Sequence, residues 1–135
     1  MTRLLLDTRL LLWWLNDDPC LPEEVVSQVQ VENVKTHISQ VSLWEMAIKV
    51  ALGKLEIKGE PGELAQQVPL QGFCWLQLQN SHILEVAALE LDKKHRDPFD
   101  RLLVAQSQTE RMELLTCDKE LERYPSVTVY SRVRR

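Results

Sequence analysis

Short apolar runs alternate with longer amphipathic segments along the whole chain. The run Leu4-Leu5-Leu6 and the segment Glu113–Thr116 have the length and composition of strands that are buried on both faces of a sheet. This alternation predicts an α/β domain whose central sheet has four to five mostly parallel strands. We predict strands at 4–6, 35–39, 73–78, 113–116 and 127–130, and helices at 9–15, 22–32, 42–51, 63–68, 81–89 and 98–110.

The length and charge of the chain limit its organisation and its partners. Its 135 residues fit one domain of ordinary size. We therefore predict a single domain over residues 1–135, with a frayed basic tail at 131–135. The net charge of −4 argues against a protein that coats nucleic acid by bulk electrostatics. It does not exclude an enzyme that acts on nucleic acid, because bound divalent cations can supply the positive charge.

The cysteines and the N-terminal segment predict a cellular location. Cys20, Cys74 and Cys117 form no CxxC pair and no zinc-binding spacing, so we expect free thiols in a reducing compartment. Asp7 and Arg9 interrupt the apolar N-terminal stretch, which is then too short for a signal peptide or a membrane span. We expect a soluble cytoplasmic protein that makes no membrane contact.

Four acidic residues stand at corresponding places in the predicted elements. Asp7 directly follows the first strand, and Asp118 lies two residues beyond the strand at 113–116. Glu45 and Asp100 lie in the first turns of two predicted helices. In a parallel sheet the carboxyl ends of the strands point to one edge, where ligands bind. We therefore expect these acids to converge on one crevice.

Each acid also has a simpler structural explanation. Ser42-x-x-Glu45 has the form of a capping box, and Asp97 stands three residues before Asp100 as a helix cap would. Asp7 and Asp118 can be turn formers. Taken together the set is harder to explain in this way, because neighbouring carboxylates repel each other unless a cation neutralises them.

The chemistry of these donors favours a hard divalent metal ion. All of them are carboxylate oxygens, and no His or Cys spacing accompanies them, so Mg²⁺ or Mn²⁺ fits better than zinc. One or two such ions can activate water and stabilise a leaving oxygen. The expected chemistry is hydrolysis of a phosphodiester bond.

Four blocks of the sequence resemble a known family. They are LLLDTRLLLWWL, ISQVSLWEMAIKVALGKL, HRDPFDRLLVAQSQ and LLTCDKELERY. In this order they resemble the PIN domain and, more narrowly, the VapC-like toxin ribonucleases of toxin–antitoxin pairs. The resemblance extends from about residue 4 to about residue 129.

The resemblance implies a three-layer α/β/α fold and a metal-dependent endoribonuclease that uses one or two Mg²⁺ or Mn²⁺ ions. Residue by residue, it assigns the catalytic and metal-binding positions to Asp7, Glu45, Asp100 and Asp118. It further implies an RNA substrate, a homodimer, and an antitoxin whose C-terminal segment covers the active site.

Three further residues accompany the acids. Thr116 would hold Asp118 by a hydrogen bond, and Asp97 fits a helix cap or an outer contact better than a metal ligand. Arg9 stands where close relatives usually have histidine. This arginine either lies near the metal ions and weakens their binding, or it binds a substrate phosphate.

Two other surfaces are candidates for contacts with partners. The basic run at 93–96, with Lys49 and Arg101, is either a solvated loop or a set of contacts to the phosphate backbone. Leu10–Leu15, together with Val25, Val26 and Val29, is more apolar than one helix face requires. An exposed remainder of this segment would suit a dimer or a partner helix.

Two other functions compete with the nuclease. The first is a PIN-fold binding module that has lost turnover, for which Arg9 is the best support. The second is a receiver or phosphatase domain with an aspartate phosphoacceptor. Asp7-Thr8-Arg9 lacks the second acid that such a phosphatase needs, and this function is the weakest of the three.

Overall fold

The computed structural model describes residues 2–89 and 97–133, in which strands and helices alternate. The strands are β1 (Thr2–Leu6), β2 (Val34–Ser39), β3 (Cys74–Leu76), β4 (Glu113–Thr116) and β5 (Val127–Val129). The helices are α1 (Thr8–Leu15), α2 (Glu23–Val29), α3 (Gln40–Ala51), α4 (Pro61–Leu70), α5 (Asn80–Val86) and α6 (Pro98–Glu110), and a single 3₁₀ turn covers Lys119–Leu121. In this described part of the chain, every helix is too short or too polar to cross a bilayer.

The five strands form one sheet in the order β3-β2-β1-β4-β5, and every neighbouring pair is parallel. The central strand is β1, whose Leu5 is in register with His37 of β2 on one side and Leu114 of β4 on the other. The predicted α/β class and the parallel sheet are therefore confirmed.

Helices cover both faces of the sheet, because successive side chains of a strand point to opposite faces. Leu4 and Leu6 pack with buried residues of α1, α2 and α4 on one face. Leu5 packs on the other face with α6 and with Val86 of α5. All three leucines are completely buried. This arrangement has three layers, as the resemblance implies.

Helices α1 and α3 begin earlier than the sequence predicts, because other residues cap them. Helix α1 begins at Thr8 and takes Asp7 as its N-cap, through a hydrogen bond from the Leu10 amide. Helix α3 begins at Gln40, because the hydroxyl of Ser39 accepts a hydrogen bond from the Val41 amide. A side-chain oxygen at either position satisfies an amide of the first turn that no carbonyl can reach.

The apolar segment around α1 is more deeply packed than predicted. Leu10, Leu11 and Val25 are buried, and the rest of Leu10–Leu15 with Val26 and Val29 is only partly exposed, so the apolar remainder on this surface is smaller than expected. The helix is covered by side chains from neighbouring elements as well as by the sheet, and Trp14 makes an edge contact with Phe73 at 5.4 Å between ring centroids. Large exposed apolar side chains lie elsewhere, on Leu52, Leu70 and Leu84.

The basic tail is described as far as residue 133. There the Val133 amide donates a hydrogen bond to the carbonyl of Cys20 at 3.0 Å, and the guanidinium of Arg132 lies 5.8 Å from the ring centroid of Trp13.

A network of buried polar side chains joins α5 and α6 to β2; we call it the His82 network. Nδ1 of His82 accepts hydrogen bonds from the Gln79 amide (3.0 Å) and from Nε2 of Gln106 (3.2 Å). Nε2 of His82 therefore carries the ring hydrogen and donates it to Glu110 at 3.0 Å. Oε1 of Gln106 accepts from the hydroxyl of Ser39 at 2.5 Å. Each polar group in this network has a complementary partner.

Candidate active site

A cleft of about 580 Å³ opens at the edge of the sheet where the parallel strands end. The four acids that the sequence singles out, Asp7, Glu45, Asp100 and Asp118, all line it. Residues as far apart in the chain as 7 and 118 thus share one cavity. The structure agrees with the expected convergence, which depends on the strands running the same way.

The strand order explains why the cleft lies at this point. From β1 the chain continues outward to β2 and β3 on one side, and β4 and β5 lie on the other side. The gap between β1 and β4 is therefore the point where the winding direction reverses, and open α/β sheets bind ligands there. Asp7 follows β1 and Asp118 follows β4, so each acid stands on one side of this gap.

Asp7 is buried and firmly held. Its Oδ1 accepts the hydrogen bond from the Leu10 amide at 2.8 Å, and its Oδ2 accepts one from the Thr116 hydroxyl. Burial raises the pKa of this carboxyl to about 6, although these two hydrogen bonds and the nearby charge of Arg9 act in the opposite direction. The negative charge of Glu45 raises the pKa further. The fold thus places a carboxylate where its charge is unfavourable.

Glu45 is buried on the side of α3 that faces the cleft. Its Oε1 accepts a hydrogen bond from the hydroxyl of Thr8 at 2.8 Å, and Thr8 Oγ1 lies 2.9 Å from Ser42 Oγ. Its Oε2 lies 2.5 Å from Nζ of Lys49. The predicted capping box is wrong, because Ser39 caps this helix and Ser42 stands within it.

Helix α3 buries two polar side chains, Ser42 and Glu45. The buried face of α3 consists of Val41, Ser42, Glu45 and Met46, whereas Ala47 and Ala51 are exposed. Asp7 and not Thr8 caps α1, and the hydroxyl of Thr8 holds Glu45 instead. Ser42 and Glu45 are three residues apart, which places both side chains on the same face of the helix.

Asp97 and Asp100 have different roles in the entrance to α6. Oδ1 of Asp97 accepts hydrogen bonds from the amides of Phe99 (2.9 Å) and Asp100 (3.2 Å), which makes Asp97 the N-cap. The side chain of Asp100 is half-buried and lines the cleft. The expectation that Asp97 is a cap is borne out by these contacts.

Thr116 connects the two sides of the gap between β1 and β4. Its hydroxyl donates to Asp7 and accepts a hydrogen bond from the Asp118 amide at 3.0 Å. It thus contacts Asp118 through the backbone, as well as holding the carboxylate of Asp7. Oδ1 of Asp118 accepts from the Glu120 amide at 3.0 Å, at the start of the 3₁₀ turn.

Positive and apolar side chains complete the lining of the cleft. Arg9, Lys49 and Lys54 contribute positive charge, and Leu12, Trp13 and Leu55 form an apolar part of the wall. Lys54 and Glu120 also line the cleft, and no periodic pattern in the sequence marks them, because Lys54 lies in a loop and Glu120 in a single 3₁₀ turn. Arg101 points elsewhere and donates to the carbonyl of Val86 at 3.4 Å. The basic run at 93–96 lies outside the described residues.

The donor set fits a hard divalent ion by its chemistry. It consists of carboxylate oxygens, and the buried Asp7 is a carboxylate whose charge a cation would stabilise. Among residues 2–89 and 97–133, however, no three Asp, Glu, His or Cys side chains lie close enough together to enclose one ion as they stand. Mg²⁺ needs few protein ligands, because it usually keeps several waters and takes one or two carboxylates.

The fold and the cleft define a class of protein: a parallel three-layer α/β domain with carboxylates at the topological switch point of its sheet. The family model described as "PIN domain" matches residues 4–127. The chain belongs to the PIN domain family.

Solved structures of similar fold come from several bacteria. The chain is 15% identical to one in the crystal structure of VapBC2 from Rickettsia felis bound to a DNA fragment from their promoter, with a TM-score of 0.70 and coverage of 98% of this chain and 100% of that one. For DNA-bound VapBC from Salmonella typhimurium the identity is 17%, the TM-score is 0.69, and the coverage is 97% and 98%. For a toxin–antitoxin complex from Klebsiella pneumoniae these values are 20%, 0.65, and 95% and 98%. No curated protein sequence matches the chain significantly.

Proposed function

We propose that this chain is a metal-dependent endoribonuclease that hydrolyses RNA phosphodiester bonds, and that it is the toxin of a VapBC-type toxin–antitoxin pair. The observation that carries the proposal is the convergence of Asp7, Glu45, Asp100 and Asp118 on one cleft at the sheet edge. Membership of the PIN family supports the nuclease activity, because PIN domains are generally nucleases.

In this proposal the four acids hold one or two Mg²⁺ or Mn²⁺ ions. When bound, such ions supply an activated water and stabilise charge on the leaving oxygen. The chain itself orients Asp7 through Thr116 and the Leu10 amide, and orients Glu45 through Thr8. These contacts keep both buried carboxylates directed into the cleft before any ligand arrives.

The positive side chains of the cleft are the proposed contacts to the RNA backbone. Arg9, Lys49 and Lys54 line the same cavity as the acids. Contacts of this kind position a strand without reading its sequence. Of the two roles open to Arg9, we propose the phosphate contact, because its side chain is exposed at a cleft that opens to solvent.

The proposed partners are an antitoxin and a second copy of the chain. The similar folds found in VapBC and toxin–antitoxin complexes support the antitoxin. Exposed apolar side chains at Leu52, Leu70 and Leu84 are available for contacts in a homodimer or a complex. A cytoplasmic location completes the proposal, because all three cysteines are free thiols.

The decisive experiment removes the charge of two of the acids. We expect Asp7→Asn and Asp100→Asn each to reduce cleavage of a mixed RNA substrate by at least about 100-fold in Mg²⁺ or Mn²⁺, an effect typical of lost charge stabilisation at a reacting centre. Both variants should also relieve growth arrest upon expression. The matched control is Asp17→Asn, at an exposed loop position outside the cleft. Undiminished cleavage by both active-site variants would show that the site is assigned incorrectly.

A second function, that of a PIN-fold binding module without turnover, is favoured by one observation. The guanidinium of Arg9 lines the acidic cleft, and its charge lowers the pKa of Asp7, so it supplies part of the positive charge that a metal ion otherwise brings. Calorimetry with Mn²⁺ separates the two functions. The binding module predicts no heat of binding at millimolar metal and no cleavage of any RNA.

A further inference from the structure

Lys49 contacts one of the proposed metal-binding carboxylates directly. It lies one helical turn after Glu45 on α3, and its Nζ is 2.5 Å from Oε2 of that residue. The two side chains differ in exposure, at 42% for Lys49 and 7% for Glu45. A buried carboxylate is thus paired with an ammonium group that reaches it from solvent.

Both oxygens of Glu45 are engaged by donors from the chain itself. Oε1 accepts from Thr8, and Oε2 accepts from Lys49. Thr8 is neutral, buried and part of a rigid helix end, so it orients the carboxylate without adding charge. Lys49 is the donor that brings a full positive charge to the oxygen.

A divalent ion that binds Glu45 lies close to the positive charge of Lys49. Two cations at one carboxylate repel each other, and the repulsion is only partly screened at a half-buried site. The long, flexible side chain of lysine allows the ammonium to leave Oε2 without disturbing α3. Lys49 lines a cavity of about 580 Å³ together with Arg9 and Lys54, so space is available for that movement.

We propose that Lys49 is an intramolecular counter-ion that neutralises Glu45 in the metal-free protein and competes with the divalent ion for its carboxylate. This inference rests on the proposed function, because it assumes that Glu45 is a metal ligand. Lys49 then acts as a positioning residue that sets the metal concentration at which the site fills.

The test compares metal affinities of two charge-matched variants of the full chain. Lys49→Gln removes the competing charge and keeps a long polar side chain, and Lys54→Gln makes the same charge change elsewhere in the same cleft. We expect Lys49→Gln to lower the dissociation constant for Mn²⁺, measured by calorimetry without RNA, by about 3- to 10-fold. Lys54→Gln should change it by less than about 2-fold, because that charge makes no contact with Glu45.

A second pair of variants localises the effect to Glu45. In a Glu45→Gln background the Lys49→Gln change should leave the Mn²⁺ affinity unaltered, because the carboxylate for which the two cations compete is absent. An unchanged or weaker affinity of Lys49→Gln would overturn the inference, as would an equal gain in Lys54→Gln. Failure of the unaltered protein to bind Mn²⁺ at all would overturn the proposed function as well, so the two failures are distinguishable.

Discussion

The His82 network and the acidic cleft both contain buried polar side chains, but these side chains attract each other in the network and repel each other in the cleft. In the His82 network each donor meets an acceptor, and Gln106, Ser39 and His82 are completely buried without mutual repulsion. In the cleft, Asp7 and Glu45 are both negative, and the charge of each opposes that of the other. The His82 network connects elements of the fold, whereas the cleft buries carboxylates of like charge.

The difference shows which of the two clusters serves the fold. Buried polar groups that are fully satisfied cost little and fix a unique arrangement. Buried like charges cost stability unless cations neutralise them, and the ammonium of Lys49 reaches Glu45 but leaves the pKa of Asp7 raised. The cleft therefore has the electrostatic character of a cation-binding site, and the His82 network has that of a structural connection.

We expect the largest change in the free energy of unfolding when the His82 network is broken. His82→Leu should lower the free energy of unfolding by about 2–4 kcal/mol, because it leaves the Gln79 amide, Gln106 and Glu110 without their buried partner. Urea denaturation followed by circular dichroism measures this change. The control is Leu84→Ala on the same helix, at an exposed position, with an expected change below about 0.5 kcal/mol. Equal stabilities of the two variants would contradict a structural role for the network.

For Asp7→Asn we expect the free energy of unfolding to rise and not to fall. Asparagine retains the helix cap and an oxygen acceptor but removes the buried charge, so the metal-free variant should be more stable than the unaltered protein by about 1–3 kcal/mol at pH 7. The folded-state pKa of about 6 lies above the ordinary value of 3.8. The protonated form is therefore favoured by folding, and the stability it contributes is complete below pH 3.8 and lost as the pH rises through 6.

Thermal unfolding between pH 4 and pH 7 measures this contribution. Asp7→Asn should lack the part of the pH dependence that Asp7 causes, whereas the exposed Asp17→Asn should retain it. A decrease in stability of Asp7→Asn at neutral pH would show that the cleft is not electrostatically strained.

We expect the smallest change in the free energy of unfolding when a single hydroxyl group is removed from the cleft. Thr116→Val keeps the shape of the side chain but removes the hydroxyl that joins Asp7 to the Asp118 amide. We expect the free energy of unfolding to fall by about 1–2 kcal/mol at pH 7, because a buried carboxylate and a half-buried amide each lose a partner. Thr116→Ser keeps the hydroxyl and should lose less, and equal losses for the two variants would mean that the methyl group, and not the hydrogen bonds, is what matters.

Much of the fold was predictable because its signals are local. Buried parallel strands appear as short apolar runs, and the strand Glu113–Thr116 and the helix Pro98–Glu110 have the predicted bounds. The predicted start of α3 was wrong, because Ser39 and Ser42 are equally good caps by residue type. Only the turn of the backbone after β2 decides that Ser39 is the one that accepts the Val41 amide.

The candidate site was predictable as a set of positions, and less so as a set of contacts. The parallel sheet alone brings Asp7 and Asp118 to one edge, so the sequence was sufficient to predict their convergence. The contact of Thr8 with Glu45 joins residues 37 positions apart, and that of Thr116 with Asp7 joins residues 109 positions apart. Such contacts depend on the packing of helices on the sheet, which no local pattern contains.

The long-range bond between Thr116 and Asp7 has a consequence for the order of events during synthesis. The ribosome completes β1 and its aspartate first, and β4 follows more than a hundred residues later. Until that strand emerges and inserts beside β1, one wall of the cleft is missing. We therefore expect a nascent chain that lacks β4 to be unable to form the complete cleft, so that any activity of the cleft begins only after this strand has been made.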